Sequence, residues 1–152
     1  MALFSGQHPS TIDDKNRIII PAKMRQAAGK EGEEGFFVTR GIDDCIVIQT
    51  QARFGQRAAE TADEKSRQTI AGRMLERALF AHAEFAKCDK QGRFLLPAQL
   101  IESLGIGTNV VIAGVNDRIE VWDAERWEQV IREAEEQLQK RAEQIYGGSE
   151  EA

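Results

Sequence analysis

Short runs of large apolar residues alternate along this chain with longer stretches in which apolar residues recur at helical spacing. Residues 18–20 and 94–96 are each three large apolar residues followed directly by Pro-Ala. Four further runs lie in pairs on either side of turn-rich segments, which is typical of β-hairpins. The predicted strands are 36–40 with 45–49, and 110–113 with 118–122.

Two stretches carry an apolar stripe at helical spacing. The first follows Thr61-x-x-Glu64, the pattern of a capping box, and predicts a linking helix over 61–81. Its stripe consists of Ile70, Ala71, Met74, Leu75, Ala78 and Leu79. The second predicts a C-terminal helix that Asp123 caps, with Trp122 and Trp127 at the positions of a hydrophobic staple. Its stripe consists of Trp127, Val130, Ile131, Ala134, Leu138 and Ile145, and we expect both stripes to be core or subunit contacts.

The chain is an internal repeat. The segment Asp13-Asp14-Lys15-Asn16-Arg17-Ile18-Ile19-Ile20-Pro21-Ala22 returns as Asp89-Lys90-Gln91-Gly92-Arg93-Phe94-Leu95-Leu96-Pro97-Ala98, at an offset of 76 residues (93 − 17). Each copy therefore contains Asp-x-x-x-Arg, three large apolar residues and Pro-Ala. The repeat predicts the same order in both copies: strand, strand, helix, strand, strand, helix.

Glycine, asparagine and proline predict the turns and helix ends of each copy. Asn16 and Gly92 tolerate positive φ, so we expect a tight turn there between antiparallel strands. Proline suits the first position of a helix and glycine its left-handed end, which predicts short helices over 21–29 and 97–105. Residues 29–35 then form a polar loop. Ile20 and Leu96 fall at the N-cap positions, although neither side chain has a capping oxygen.

The run of Ile18, Ile19 and Ile20 suggests burial on both faces of its strand. A lone hairpin cannot supply that cover, and two copies of about 76 residues bury little core alone. We therefore expect a homo-oligomer larger than a dimer.

Charge is distributed unevenly along the chain. Its formal net charge is −5, but residues 1–30 hold five bases against two acids and residues 116–152 hold eleven acids against five bases. A basic leading part with an acidic far part is compatible with binding to nucleic acid. Chance asymmetry is the alternative.

Enzymatic and metal chemistry find little support in the sequence. His8 and His82 are isolated, Cys45 and Cys88 have no paired spacing, and no familiar nucleophile, zinc or phosphate-loop motif occurs. We expect no catalytic residue, no metal, no cofactor and no small-molecule substrate. The cysteine usage, the lack of a charged-then-apolar leader before Leu3 and the short apolar runs predict a cytoplasmic protein with no membrane partner.

The Asp-x-x-x-Arg motif permits two interpretations. The aspartate and arginine can pair across a turn and fix its register, which we favour for Asp89 and Arg93. In the first copy Asp13 stands in the same place, but Lys15, Asn16 and Arg17 lie together in the basic part of the chain. Lysine meets phosphate, asparagine can hydrogen-bond a base edge, and arginine makes bidentate contacts to guanine. We predict these three as DNA contacts, with Lys23 and Arg25 behind them.

The paired Asp-x-x-x-Arg and Pro-Ala motifs, after a Leu-Phe-Ser-Gly opening at residues 3–6, resemble the MraZ family of bacterial transcriptional regulators. The resemblance implies an α+β fold with a mainly β core, made of tandem AbrB-like repeats of swapped-hairpin, double-ψ-type β-barrel form with connecting and C-terminal helices. It also implies ring-shaped assemblies, associated with the nucleoid, that bind short direct repeats in double-stranded promoter DNA upstream of the division and cell-wall genes, usually as repressors. Family members usually have glycine where this chain has Asn16.

We accordingly divide the chain into an AbrB-like repeat at 1–60, a linking helix at 61–81, a second repeat with its C-terminal helix at 82–146, and a frayed tail at 147–152. Two other functions stay open on the sequence. One is an AbrB-like antitoxin that binds DNA and a toxin, and the other is a structural ring without a DNA role.

Overall fold

The computed structural model describes residues 2–61 and 63–147. Both copies contain the predicted order of elements. The first copy contributes β1 (Gln7–Thr11), β2 (Arg17–Ile19), α1 (Ala22–Glu34), β3 (Phe36–Arg40), β4 (Ile46–Gln49) and α2 (Gln51–Thr61). Two helices follow, α3 (Glu64–Arg67) and α4 (Ile70–Phe80). The second copy contributes β5 (Glu84–Ala86), β6 (Arg93–Leu95), α5 (Ala98–Ser103), β7 (Asn109–Val115), β8 (Arg118–Asp123) and α6 (Ala124–Ala142), and a π-helical segment follows at Glu143–Gly147.

Strands of the two copies interleave in one antiparallel sheet. Its six strands run in the order β1-β7-β8-β4-β3-β5, so three of its five pairings, β1 with β7, β8 with β4 and β3 with β5, join one copy to the other. The predicted hairpins β3–β4 and β7–β8 are both present. The protein is therefore an α+β protein whose β core both copies build together.

The second sheet corrects the expected pairing around the two motif turns. We expected each turn to join paired strands of its own copy, but β1 pairs with β7 and β2 pairs with β6. Beyond the ladder, the Ile20 amide donates to the Gly92 carbonyl at 2.9 Å and the Leu96 amide to the Asn16 carbonyl at 2.8 Å. The residue after each strand thus hydrogen-bonds to the turn of the other copy. This exchange agrees with the swapped-hairpin arrangement that the resemblance implies.

The β2–β6 pair alternates between a buried and an exposed face. Ile18 and Phe94 lie opposite each other and are fully buried, whereas Ile19 is 54% and Leu95 55% exposed. The prediction that all three isoleucines are buried was wrong, because the pleat turns Ile19 outward. Cover for Ile18 and Ile20 comes from within the chain, so these residues do not by themselves require a second subunit.

The helix ends follow the glycine and proline signals in part. The N-caps are Pro21 and Pro97, one residue after the predicted N-caps Ile20 and Leu96, and neither helix has a side-chain cap. Gly105, at φ 64°, closes α5 as predicted, in a Schellman arrangement where the Ile106 amide donates to the Ile101 carbonyl at 3.0 Å. Gly29 also has positive φ, yet it only kinks α1, which continues to Glu34. The predicted loop over 29–35 was therefore wrong.

The segment that links the copies is broken where the sequence predicted one helix. Thr61 ends α2 and does not cap a helix. The caps are Asp63, whose carboxylate accepts from the Ser66 amide at 2.7 Å, and Thr69, whose hydroxyl accepts from the Gly72 amide at 3.0 Å. Of the predicted stripe, Leu79 is buried, but Ile70, Met74 and Leu75 are 73%, 56% and 44% exposed.

The C-terminal helix packs through its first turns. Trp122 and Trp127 are buried against each other, with ring centroids 6.1 Å apart, which confirms the staple. Asp123 lies at the N-cap, but its carboxylate accepts from the Gly107 amide at 2.9 Å and makes no capping bond, a correction to its predicted role. Leu138, farther along the predicted stripe, is 71% exposed. Of the predicted tail, Gly147 ends the π-helical segment and residues 148–152 lie outside the described residues.

Candidate nucleic-acid interface

The first tip, residues 13–17, is a tight turn held by the Asp13 side chain. One carboxylate oxygen, Oδ1, accepts hydrogen bonds from the amides of Lys15 at 2.9 Å and Arg17 at 2.8 Å. The Asp13 amide donates to the Arg17 carbonyl at 2.9 Å, and Asn16 has a φ of 64°. The positive φ predicted for Asn16 is confirmed, so asparagine supplies here the conformation that glycine adopts most easily.

Asp13 also orients the arginine. Its other oxygen, Oδ2, accepts from Arg17 Nε at 2.8 Å. That bond uses one of the five guanidinium N–H donors and leaves the four on the terminal nitrogens for another partner. The backbone bond from Arg17 is the largest cause that holds the pKa of Asp13 below its ordinary value, so the carboxylate stays charged at neutral pH. The ion pair is therefore compatible with a binding role for Arg17.

The second tip, residues 89–93, repeats this geometry. Asp89 accepts from the amides of Gln91 and Arg93 at 2.9 Å each and from Arg93 Nε at 2.6 Å. Partial desolvation opposes the shift, but the hydrogen bonds from Arg93 and Gln91 outweigh it and lower the pKa of Asp89. Gly92 has the positive φ predicted for it, at 84°. The arginine side chains are also similarly exposed, at 26% for Arg17 and 36% for Arg93.

Arg25 lies at the second tip and not at the first, where the sequence placed it. Its Nε donates to the Ile20 carbonyl at 3.0 Å, and a methyl group at Gly92 would come within 2.7 Å of that same Nε. Ile20 itself bonds to Gly92, so α1 of the first copy packs over the turn of the second. The charge difference on which we based different roles for Arg17 and Arg93 is thereby removed.

Both arginines lie on one surface, which we call the arginine face. It is the outward side of the β2–β6 pair and consists of Arg17, Ile19, Arg93 and Leu95. Arg17 lies opposite Leu95 and Arg93 opposite Ile19, so the arginines are diagonal neighbours with Cα atoms about 7–8 Å apart. Lys15 and Lys90 are exposed at the two tips, and Lys23 is exposed on α1.

The sequence showed each tip but did not show that they share a face. Each motif involves residues that are close together in sequence, whereas the paired strands β2 and β6 lie one repeat of 76 residues apart. The sequence held one indication of this pairing, the three large apolar residues after each arginine. They indicate a strand that needs a partner, but they do not identify which strand the partner is. The structure thus brings together Arg17 and Arg93 and adds Arg25 beside Gly92. Lys15 and Asn16 lie in the turn of the first tip, and Lys23 lies on α1.

Other chemistry is sparse in the described part of the chain. No group of three His, Cys, Asp or Glu side chains is placed to hold a metal in residues 2–61 and 63–147. Burial raises the pKa of Cys45, and it raises the pKa of Cys88 to about 11, which leaves both thiols protonated and poorly nucleophilic at neutral pH. Within the same residues, no helix has the length and apolar character needed to cross a bilayer.

Comparison with known proteins gives a consistent result. The family model of the MraZ protein, described as antitoxin-like, matches residues 3–78 and again residues 79–147. A protein of Symbiobacterium thermophilum is 39% identical over 92% of this chain and 98% of its own length. Proteins of Moorella thermoacetica (34% identical, over 94% of this chain and 96% of that protein) and Finegoldia magna (37%, over 84% and 85%) are similar over most of their length. Each of the three is named "Transcriptional regulator MraZ".

Proposed function

Because the chain belongs to the MraZ family, we propose that it is a transcriptional regulator that binds double-stranded promoter DNA through the arginine face. The observation that carries this proposal is the convergence of Arg17 and Arg93 on one outward surface, each held by an aspartate through its Nε. Nη2 of Arg93 also donates to Gln91 Oε1 at 3.1 Å, an exposed bond that a DNA contact would replace. The relatives are named as transcriptional regulators, and we propose no enzymatic activity for this chain.

The residues of the arginine face, and those of the two tips and α1 beside it, each suit one part of a DNA site. We propose that Lys15 meets phosphate, Asn16 a base edge, and Arg17 the bidentate acceptor pair of guanine. We extend the contact surface to the second tip, where Arg93 repeats Arg17, Lys90 follows Asp89 and Arg25 adds a positive charge. Lys23 on α1 is an additional phosphate contact.

The exposed apolar side chains of Ile19 and Leu95 suit the methyl groups of thymine.

The biological role that we propose follows the family resemblance. Several subunits in a closed ring would each engage one of several short direct repeats upstream of the division and cell-wall genes, and this avidity would supply affinity that one subunit lacks. We propose repression, with the protein associated with the nucleoid. A footprint on the DNA upstream of its own gene tests the site directly, and protection outside that region only would contradict the proposal.

Salt should weaken binding to that DNA steeply. Each phosphate that a lysine or arginine neutralises contributes a slope of about −0.9 in log affinity against log salt, and several subunits add their contacts. We expect a slope of at least about −3 in fluorescence anisotropy from ~50 to ~200 mM salt. A scrambled duplex of the same length is the control and should bind more weakly at every salt concentration. A flat response would exclude DNA as the partner.

The assembled protein should be larger than a dimer. Within the described residues, Ile70 and Met74 of α4 are mostly exposed and Leu75 is nearly half exposed, and exposed apolar patches are typical of subunit contacts. Light scattering at micromolar concentration should therefore give several times the 17.0 kDa of one chain. Met74→Glu, which places a charge on that surface, should reduce the mass, whereas Glu135→Lys on exposed α6 should not. A wild-type monomer would contradict this prediction.

Two observations favour the antitoxin alternative. The matching family is described as antitoxin-like, and α6, which carries many of the acids of residues 116–152, is exposed over most of its length. A small basic protein that co-purifies with this chain, and is lost when residues 132–152 are removed, would favour that function. Purification of the chain alone with full promoter affinity would count against it.

A further inference from the structure

A cavity of about 390 Å³ lies away from the arginine face, between α2 and the turns that close the two hairpins. Its floor is formed by β4 and β8, with Cys45, Gln49 and Glu120 buried there. One wall is α2, which presents Arg53 and Arg57 one helical turn apart and hence on the same side. The other walls are the segments 41–43 and 117–118, so the cavity is lined by both copies.

Three polar atoms of this cavity have no hydrogen-bond partner in the described part of the chain. They are Arg53 Nε, Arg57 Nη1 and Gln49 Oε1, and all three are inaccessible to solvent. The rest of each side chain is partly engaged, since Arg53 Nη2 donates to the Ala2 carbonyl at 3.4 Å and Gln49 Nε2 to the Asp117 carbonyl at 3.4 Å. Buried polar groups are normally paired, so two donors and one acceptor await a partner here.

The lining holds three arginines, Arg53, Arg57 and Arg118, and four acids, Asp43, Glu60, Asp117 and Glu120. Arg118 is neutralised by Glu120 at 2.9 Å and by Asp117 at 3.1 Å, and the second oxygen of Glu120 accepts from Trp122 Nε1 at 2.9 Å. No ion pair within 4.0 Å joins Arg57 to an acid among residues 2–61 and 63–147. Burial, and then the nearby Arg118, lower the pKa of Arg57, while Asp117 and Glu120 partly offset this at longer range. The guanidinium remains protonated at neutral pH.

We propose that this cavity binds a small organic anion, with its carboxylate or phosphate between Arg53 Nε and Arg57 Nη1 and with a neighbouring hydroxyl or amino group that donates to Gln49 Oε1. Arginine is suited to both anions because its donors match their oxygen spacing. The volume admits a molecule of a few carbon atoms and excludes a nucleotide chain.

The test uses the full-length protein without DNA, so that it stands apart from the proposed DNA binding. Inorganic phosphate and glycerol 3-phosphate are titrated by calorimetry at constant ionic strength. We expect saturable binding of both, tighter for glycerol 3-phosphate because its hydroxyl reaches Gln49 Oε1, and a higher melting temperature with each. Gln49→Leu should remove the preference for glycerol 3-phosphate and keep the binding of phosphate.

Arg57→Gln should weaken both anions at least about tenfold, because it removes a charged donor. Arg132→Gln makes the same charge change on the exposed surface of α6 and should bind like the wild type. Arg57→Lys keeps the charge and should bind with intermediate affinity. It keeps the test decisive if Arg57→Gln fails to fold. Absence of saturable binding to either probe, or equal affinities for Arg57→Gln and Arg132→Gln, would overturn the proposal. A change of oligomer mass in Arg57→Gln without anion binding would overturn it in favour of a carboxylate from a neighbouring subunit.

Discussion

Replacing Arg17 by alanine is expected to abolish specific promoter binding while the oligomer mass and the melting temperature stay nearly unchanged. The side chain is outward and its pair with Asp13 is partly exposed, so its loss costs at most about 1 kcal/mol of folding free energy. Loss of a bidentate base contact costs about 1–3 kcal/mol at each site, and every engaged subunit of an oligomer adds to that loss. Gel shift measures the first effect and size-exclusion chromatography the second.

Arg93→Ala and Arg132→Ala are the matched variants for this experiment. From the sequence we favoured a structural role for Arg93 beside Asp89. In the structure an aspartate holds each arginine through its Nε and both arginines share one face, so we expect Arg93→Ala to lose DNA as well. Arg132 lies on exposed α6, and its replacement removes the same charge without touching the arginine face. Full binding by Arg93→Ala would restore the division of roles predicted from the sequence. Full binding by Arg17→Ala would contradict the proposed interface.

The two motif turns could be predicted because the residues that form each turn are close together in sequence. Asp13 and Asn16 are three residues apart and their roles follow from side-chain chemistry alone, as do the corresponding roles of Asp89 and Gly92. The two hairpins were likewise predictable, because each has its two strands and its turn in one short segment. The MraZ resemblance, carried by those same motifs, is confirmed by the family match to both copies.

Partners that lie far apart in the chain could not be predicted in the same way. Nothing local tells that Phe94 lies opposite Ile18, or that the pleat leaves Ile19 outside. Arg25 was assigned to the nearer tip by sequence distance, whereas the direction of α1 carries it to Gly92. The cavity beside Arg57 needs α2, β4 and β8 together, and no residue pattern within any one of them signals it.

Phe94→Ala should destabilise the fold by about 3–5 kcal/mol, the usual cost of removing a buried phenylalanine. Phe94 is fully buried, it meets Phe36 edge-on with ring centroids 6.1 Å apart, and its neighbours on β3 and β2 belong to the other copy. The lost contacts therefore hold the copies to each other. Because the six-stranded sheet is also built from both, we expect one cooperative urea transition, displaced to lower urea, and not the separate melting of one half.

Leu95→Ala is the control for this experiment, since Leu95 adjoins Phe94 on the same strand but faces outward at 55% exposure. Its loss should change the free energy of unfolding by no more than about 0.5 kcal/mol, as is usual for surface positions. Alanine replaces a strand residue in both variants, so the change in strand propensity is similar. The difference between their free energies of unfolding therefore reports the effect of burial. Equal destabilisation by the two variants would mean that β6 is covered on its outer face in the assembled protein. Two resolved transitions in Phe94→Ala would mean that the copies fold independently in spite of their shared sheet.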